Sequence, residues 1–200
     1  MNASIAPLIG SQIPSPVKRT VTRLSRVAFC GSALLVSFTA LGSVPTLKVG
    51  DAPPDVFGKS STGQVVHLSD YRGKIVVISF WATWCGPCRK ELPVLVNLEK
   101  QATREKLIVL TVNWQQGYNE FRQIMKIFKD MGTDITLISD EHGRAGAAYG
   151  VKGIPHMIIL GRDGRIAAIH VGYSEEQLPV LVDEINSAWS KISPEGSHPN

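Results

Sequence analysis

The 200-residue chain is poor in cysteine: it has three. Cys30 stands in an apolar segment near the N-terminus, which leaves Cys85 and Cys88, with two residues between them in "WCGPC". That scarcity excludes a stabilising disulfide framework, which would distribute its cysteines through the domain. Zinc is excluded on the same ground, because a structural site takes four ligands and there is no second Cys-x-x-Cys. His67, His142, His156, His170 and His198 show no paired ligand spacing, so no metal site is expected. Acid is missing from residues 1–46, which carry Lys18, Arg19, Arg23 and Arg26 and no Asp or Glu. Without those four, the 21 basic residues become 17, equal to the 17 acidic ones. The remainder is neutral and carries no footprint for nucleic acid. Internal repeats and low-complexity tracts are absent as well.

The lopsided N-terminus has an order to it. A basic "KRTVTRLSR" runs into the apolar "VAFCGSALLVSFTA" from Val27 to Ala40, and Ala40-Leu41-Gly42 places small residues where a signal peptidase inspects. Extended to Val44, the run reaches 18 residues, the length of a membrane span. A cleaved signal and an uncleaved anchor both fit, and basic residues before the run leave the following domain outside the inner membrane. Cys30 has Phe29 before it and the apolar run after it, the reverse of a lipidation site. It reads as a bystander. The expected division is a signal peptide or N-terminal membrane anchor over 1–46, a domain over 47–192 and a loose tail over 193–200.

Past a Pro-rich entry, "VGDAPPDVF", the pattern alternates. "QVVHLSDYRGK" gives a short strand and a turn, and "KIVVISFWA" is a continuous β-branched and aromatic run suited to a strand buried on both faces. A helix follows from about Gly86 to Gln101, with Leu92, Leu95, Val96 and Leu98 as its stripe and Pro93 predicting a kink. "KLIVLTVNW" is the next strand. "YNEFRQIMKIFKDMG" is helical, with Phe121, Ile124, Met125, Ile127 and Phe128 apolar. "DITLIS", the short helical "GRAGAAYGV", a hairpin of "HMIIL" and "RIAAIHV" around "GRDG", and a last helix in "SEEQLPVLVDEINSAWSKI" complete the chain. The order β-α-β-α-β-α-β-β-α predicts an α/β fold, a mixed sheet with helices on both faces.

The two cysteines sit where the buried strand passes into the helix. A disulfide here closes a four-residue loop, and the chain-entropy account gives such a loop only about 2 kcal/mol. Chemistry explains the spacing better. Unpaired backbone N–H groups and the helix dipole favour a thiolate at Cys85, which makes it both an available nucleophile and a good leaving group. Cys88, one turn on, can attack a mixed disulfide on Cys85 and release the partner. Gly86 lets a substrate backbone approach, and Pro87 removes an N–H that a helix start would orphan anyway. Trp81 reads as core and Trp84 as a partly exposed rim of the substrate site.

"FWATWCGPC" resembles the active-site signature of the thioredoxin superfamily. The continuation "CRKELP", with Glu six residues after the first Cys, resembles the TlpA/ResA/CcmG branch of exported, often membrane-tethered thiol–disulfide oxidoreductases. The resemblance runs from about Val49 to Trp189 and implies a thioredoxin fold with an N-terminal β-hairpin. It implies that "GIPHMIIL" is the cis-proline loop, with Pro155 over the Cys pair after a cis bond and Ile154 offering backbone to an extended substrate. It also implies that Glu91 helps move protons between the cysteines. Ser79 stands where cytosolic thioredoxins carry a buried Asp, which places that duty more on Glu91. His156 reads as a half-exposed residue at a strand start.

The expected activity is therefore exchange of a Cys85–Cys88 disulfide or dithiol with protein thiols and disulfides in the periplasm or at the extracytoplasmic face of the inner membrane. No cofactor is expected, a membrane reductant recycles the pair, and residues 27–44 are the candidate tether. By resemblance, the protein is a reductant in cytochrome c or oxidase maturation. Two rivals remain open: a copper-handling protein using Cys85, Cys88 and His156, since Cu(I) accepts thiolates, and a thioredoxin-fold peroxidase, against which "WCGPC" argues.

Overall fold

A computed structural model describes residues 46–191 apart from Met131 and Asp134. The apolar leader segment with Cys30 and the tail from 193 lie outside the described residues. Among the described residues, no helix is long and apolar enough to cross a membrane.

The elements are β1 (Val56–Ser60), β2 (Val65–His67), β3 (Ile75–Trp81), α1 (Gly86–Ala102), β4 (Leu107–Trp114), α2 (Tyr118–Asp130), β5 (Thr136–Asp140), α3 (Arg144–Ala148), β6 (His156–Leu160), β7 (Ile166–Val171) and α4 (Leu178–Ser190). They build one seven-stranded sheet in the order β2-β1-β5-β4-β3-β6-β7. The strands read as continuous apolar runs are its centre. Every residue of β3 is buried, and β3 pairs in parallel with β4, which pairs in parallel with β5. Helical crossovers α1 and α2 make those parallel pairings possible. β6 joins the other side of β3 antiparallel, with Phe80 opposite His156, and the hairpin to β7 closes that edge. The β1–β2 hairpin extends the far edge by pairing β1 antiparallel to β5.

The two faces are dressed unequally. Odd positions of β3 (Ile75, Val77, Trp81) pack with Leu92 and Leu95 of α1, Phe121, Ile124 and Phe128 of α2, and Leu181 and Ala188 of α4. Even positions (Val76, Ile78, Phe80) pack instead with Phe57, Val66, Leu68 and Tyr149, and Ala145 and Ala148 of α3 lie against that cluster. Three helices thus cover one face, while one short helix, the hairpin and the lead-in cover the other. Tyr149 ties the lead-in down by donating its hydroxyl to the Pro54 carbonyl at 2.7 Å.

Two packing expectations differ from the structure. Ile127 is 56% exposed, because at 100° per residue it lies well off the arc that Phe121, Ile124 and Phe128 share. In α1 the buried stripe contains Glu91 and Glu99 beside Leu92 and Leu95, while Val96 and Leu98 are only partly covered. The helix runs through Pro93, which is exposed.

Candidate active site

Cys85 caps α1. Its backbone is extended, Gly86 and Pro87 begin the helix, and the Cys88 amide donates to Cys85 Sγ at 3.2 Å. The two sulfurs form a disulfide with the Cα atoms 5.3 Å apart. Cys88 is wholly buried, whereas Cys85 retains 5% exposure. That difference gives an incoming partner access to Cys85 first. The amide aimed at Cys85 Sγ is the group that would stabilise a thiolate there after reduction. Trp84 stands 66% exposed beside it. A Cβ added to Gly86 would meet no described residue within 4 Å, which leaves room there for a substrate backbone.

The segment that presents Cys85 is held by residues the sequence reading did not single out. The Gln116 amide straddles Thr83: its Oε1 accepts from the Thr83 backbone N–H at 2.7 Å and its Nε2 donates to Thr83 Oγ1 at 2.6 Å. Asn113 Nδ2 donates to the same Gln116 Oε1 at 2.7 Å, and Arg89 Nη1 donates to the Thr83 carbonyl at 3.2 Å. Gln115, just before, takes a positive φ of 53°, an uncommon conformation for a side-chain-bearing residue. The only sequence trace of this clamp is polar "NWQQ" at the end of an apolar strand.

Glu91 points inward. It is 1% exposed, and Ser79 on β3 donates its hydroxyl to Oε2 at 2.7 Å. The other oxygen, Oε1, is buried and has no hydrogen-bond partner among the described residues. Burial raises its carboxyl from 4.5 to about 7, with the Ser79 bond pulling the other way. The acid therefore comes from α1 and meets the hydroxyl of β3, on the face that also holds Cys88.

The Ile154–Pro155 bond is cis. Pro155 immediately precedes β6, whose first residue pairs with Phe80, so it lies by the end of β3 from which the chain runs on to Cys85. Ile154 packs against the cluster that contains both cysteines. His156 corrects the expectation of half exposure: it opens β6 but is only 7% exposed. β6 is an interior strand, and the imidazole is covered edge-on by Phe80 on the face opposite the α1 side. Burial lowers its pKa from the ordinary value, and its Nε2 has no partner among the described residues. That placement separates His156 from the cysteine sulfurs as a third copper ligand. Among the described residues no three His, Cys, Asp or Glu side chains are grouped to hold a metal.

A redox-active cysteine pair at a helix mouth, backed by a buried carboxyl in a thioredoxin fold, defines a protein dithiol–disulfide oxidoreductase whose substrates are protein thiols and disulfides. Comparison with known proteins agrees: the chain belongs to the Redoxin family, whose model matches residues 48–185. It is 34% identical to the thioredoxin-like protein YneN of Bacillus subtilis over 126 residues, 63% of this chain and 73% of that one. It is 28% identical to the thiol-disulfide oxidoreductase ResA of Geobacillus thermodenitrificans, covering 78% of this chain and 87% of the relative. A crystal structure named thiol:disulfide interchange protein DsbE, from Chlorobium tepidum, superposes with a TM-score of 0.64 at 32% identity, covering 72% of this chain and 99% of that one. Within the thioredoxin superfamily the chain is thus a ResA/CcmG-like member.

Proposed function

We propose that this protein is an exported reductant of protein disulfides, held at or released from the outer face of the inner membrane by its N-terminal segment. Cys85 is the nucleophile, Cys88 the resolving thiol, Glu91 the proton carrier between them and Pro155 the shaper of the substrate site, with Trp84, Gly86, Pro87 and Ile154 lining it. The observation that carries this reading is the buried Glu91 carboxyl, hydrogen-bonded to Ser79 on the sulfur-bearing face of the sheet. A carboxyl raised to about 7 exchanges protons with thiols near neutral pH. The acid-free, basic-then-apolar leader supports export, as signal or tether, and the resemblance of "WCGPCRKELP" supports a role in cytochrome c or oxidase maturation. A membrane-borne dithiol then returns electrons to Cys85–Cys88 after each turnover.

Trapping tests the assignment. With Cys88→Ser, Cys85 still attacks but nothing releases the partner, so mixed disulfides accumulate on non-reducing gels and vanish in the double Cys85→Ser, Cys88→Ser variant. Mass spectrometry of the trapped species identifies exported proteins with paired cysteines, apocytochrome c among them. Trapping by Cys85→Ser but not by Cys88→Ser would reverse the roles, and a purely cytosolic catch would end the export reading.

A further inference from the structure

A proton taken up by Glu91 enters the core, so a working carrier needs a way out. Ser79 occupies Oε2, and Oε1 is buried without a partner among the described residues. Glu91 lines a half-open cavity with about 20 Å³ of room for water, whose wall also includes Met157, His170, Tyr173, Ser174 and Leu181. That is room for one water, and a water at such a site needs two to four polar neighbours. Glu91, His170 and Ser174 line the wall to supply them. On the far side His170 Nε2 is hydrogen-bonded to Glu184 Oε2 of α4. This pair surfaces, with the His170 side chain 20% and the Glu184 side chain 36% exposed. Glu91 and His170 thus share one wall, and the sheet register sets His170 beside Met157 and Met157 beside Ser79, the hydrogen-bond partner of Glu91.

We propose that His170, oriented by Glu184, is the proton outlet of Glu91, joined to it by a water in this cavity. The inference rests on Glu91 being the proton carrier of the cysteine pair. During oxidation of the dithiol by a partner disulfide, the Cys85 thiolate attacks one partner sulfur and the other leaves as a thiolate. Glu91 takes the proton of Cys88. The Cys88 thiolate then attacks Cys85 Sγ, closing the disulfide and expelling the second partner thiolate with the electron pair. Two electrons have passed to the partner, whose thiolates are protonated by solvent, and one proton remains on Glu91. It leaves from Oε1 through the water to the imidazole, while an imidazole proton passes to solvent. Reduction runs the same path inward.

The titratable groups facing Glu91 are few. Its own helix offers the cysteine sulfurs, and the β7 side offers His170 and, at the cavity wall, Tyr173, which also feels Glu175. β3 and β6 contribute the neutral Ser79 and Met157, and α4 contributes Glu184 through His170. Among the described residues no lysine or arginine lines the cavity to fix the charge of Glu91.

The test uses the purified full chain, reduced and then oxidised with glutathione disulfide in stopped flow across pH 5.5 to 9, with and without added imidazole. Below about pH 7 Glu91 must first shed its own proton before it can take that of Cys88, so there His170→Gln is expected to slow disulfide closure several-fold, to shift the pH–rate profile and to regain its rate with imidazole. Glu184→Gln is expected to act in the same direction, and it carries the test if His170→Gln fails to fold. Glu91→Gln is expected to be slow at every imidazole concentration. Slow Glu91→Gln beside unaltered His170→Gln and Glu184→Gln would remove the outlet and leave Glu91 as carrier. Unaltered Glu91→Gln would remove the carrier itself. A slow His170→Gln that imidazole does not rescue would make His170 a packing residue and overturn the proposal.

Discussion

Glu91 and Gln116 are single side chains that folding brings to a site built on two sulfurs from outside its loop. Because the folded-state pKa of Glu91 is raised, its contribution to stability is full below 4.5 and is lost as pH rises to about 7. Glu91→Gln has no proton to lose, so its stability relative to the parent is expected to climb by about 3 kcal/mol across that window, read from urea midpoints at fixed pH steps. An offset that stays flat with pH would return Glu91 to an ordinary solvated carboxylate. Gln116→Ala leaves the part-buried Thr83 amide without its partner, a loss of about 1 kcal/mol. The segment before Cys85 loosens, and slower alkylation of Cys85 in the reduced protein is the expected readout. The cysteines and Glu91 were legible in the sequence because they fall within seven consecutive residues, Cys85 to Glu91. The partner of Glu91 was not, because Ser79 lies 12 residues back on another element. Gln116 was not, because only folding brings it across 33 residues to Thr83.

At the scale of elements, the apolar patterns were sound guides wherever a strand is covered on both faces, as in β3 and β4. They overreached on α2, where a run of apolar residues does not say how wide a face the sheet will accept, and Ile127 is left outside. They also missed how α3 is held. The helix is short, its N-cap position is Gly143 with no side-chain bond, and Asp140 at the end of β5 does the capping instead. Its two oxygens accept from the Ala145 and Gly146 amides at 3.1 and 2.8 Å. Asp140→Ala is expected to cost about 1–2 kcal/mol, the usual worth of a cap. Thermal melts should register the loss while exchange rates of the cysteine pair hold, since α3 covers the face opposite α1. A parallel loss of exchange rate would mean that the two faces are coupled.

For the whole molecule, two buried titratable groups on opposite faces tilt stability in opposite directions. Glu91 weakens the fold as pH rises to neutrality. His156 is held neutral with a depressed pKa, so its contribution is full above its unfolded value near 6.5 and is lost as pH falls below that. His156→Leu is expected to flatten the acid limb of the stability curve and leave the neutral limb alone; an unchanged acid limb would show that the imidazole titrates freely. Sequence alone missed this, because the burial of His156 depends on Phe80, which pairs with it across 76 positions of chain.

One consequence of the bond between residues three apart concerns endurance. Both sulfurs belong to the opening turn of one helix, so cutting the bond releases no long segment of chain, and the architecture rests on strand pairing and two packed faces. Electrons can be stored and withdrawn here without dismantling the vessel that holds them. A lock of this kind can open and close many times while the fold that holds it stays whole.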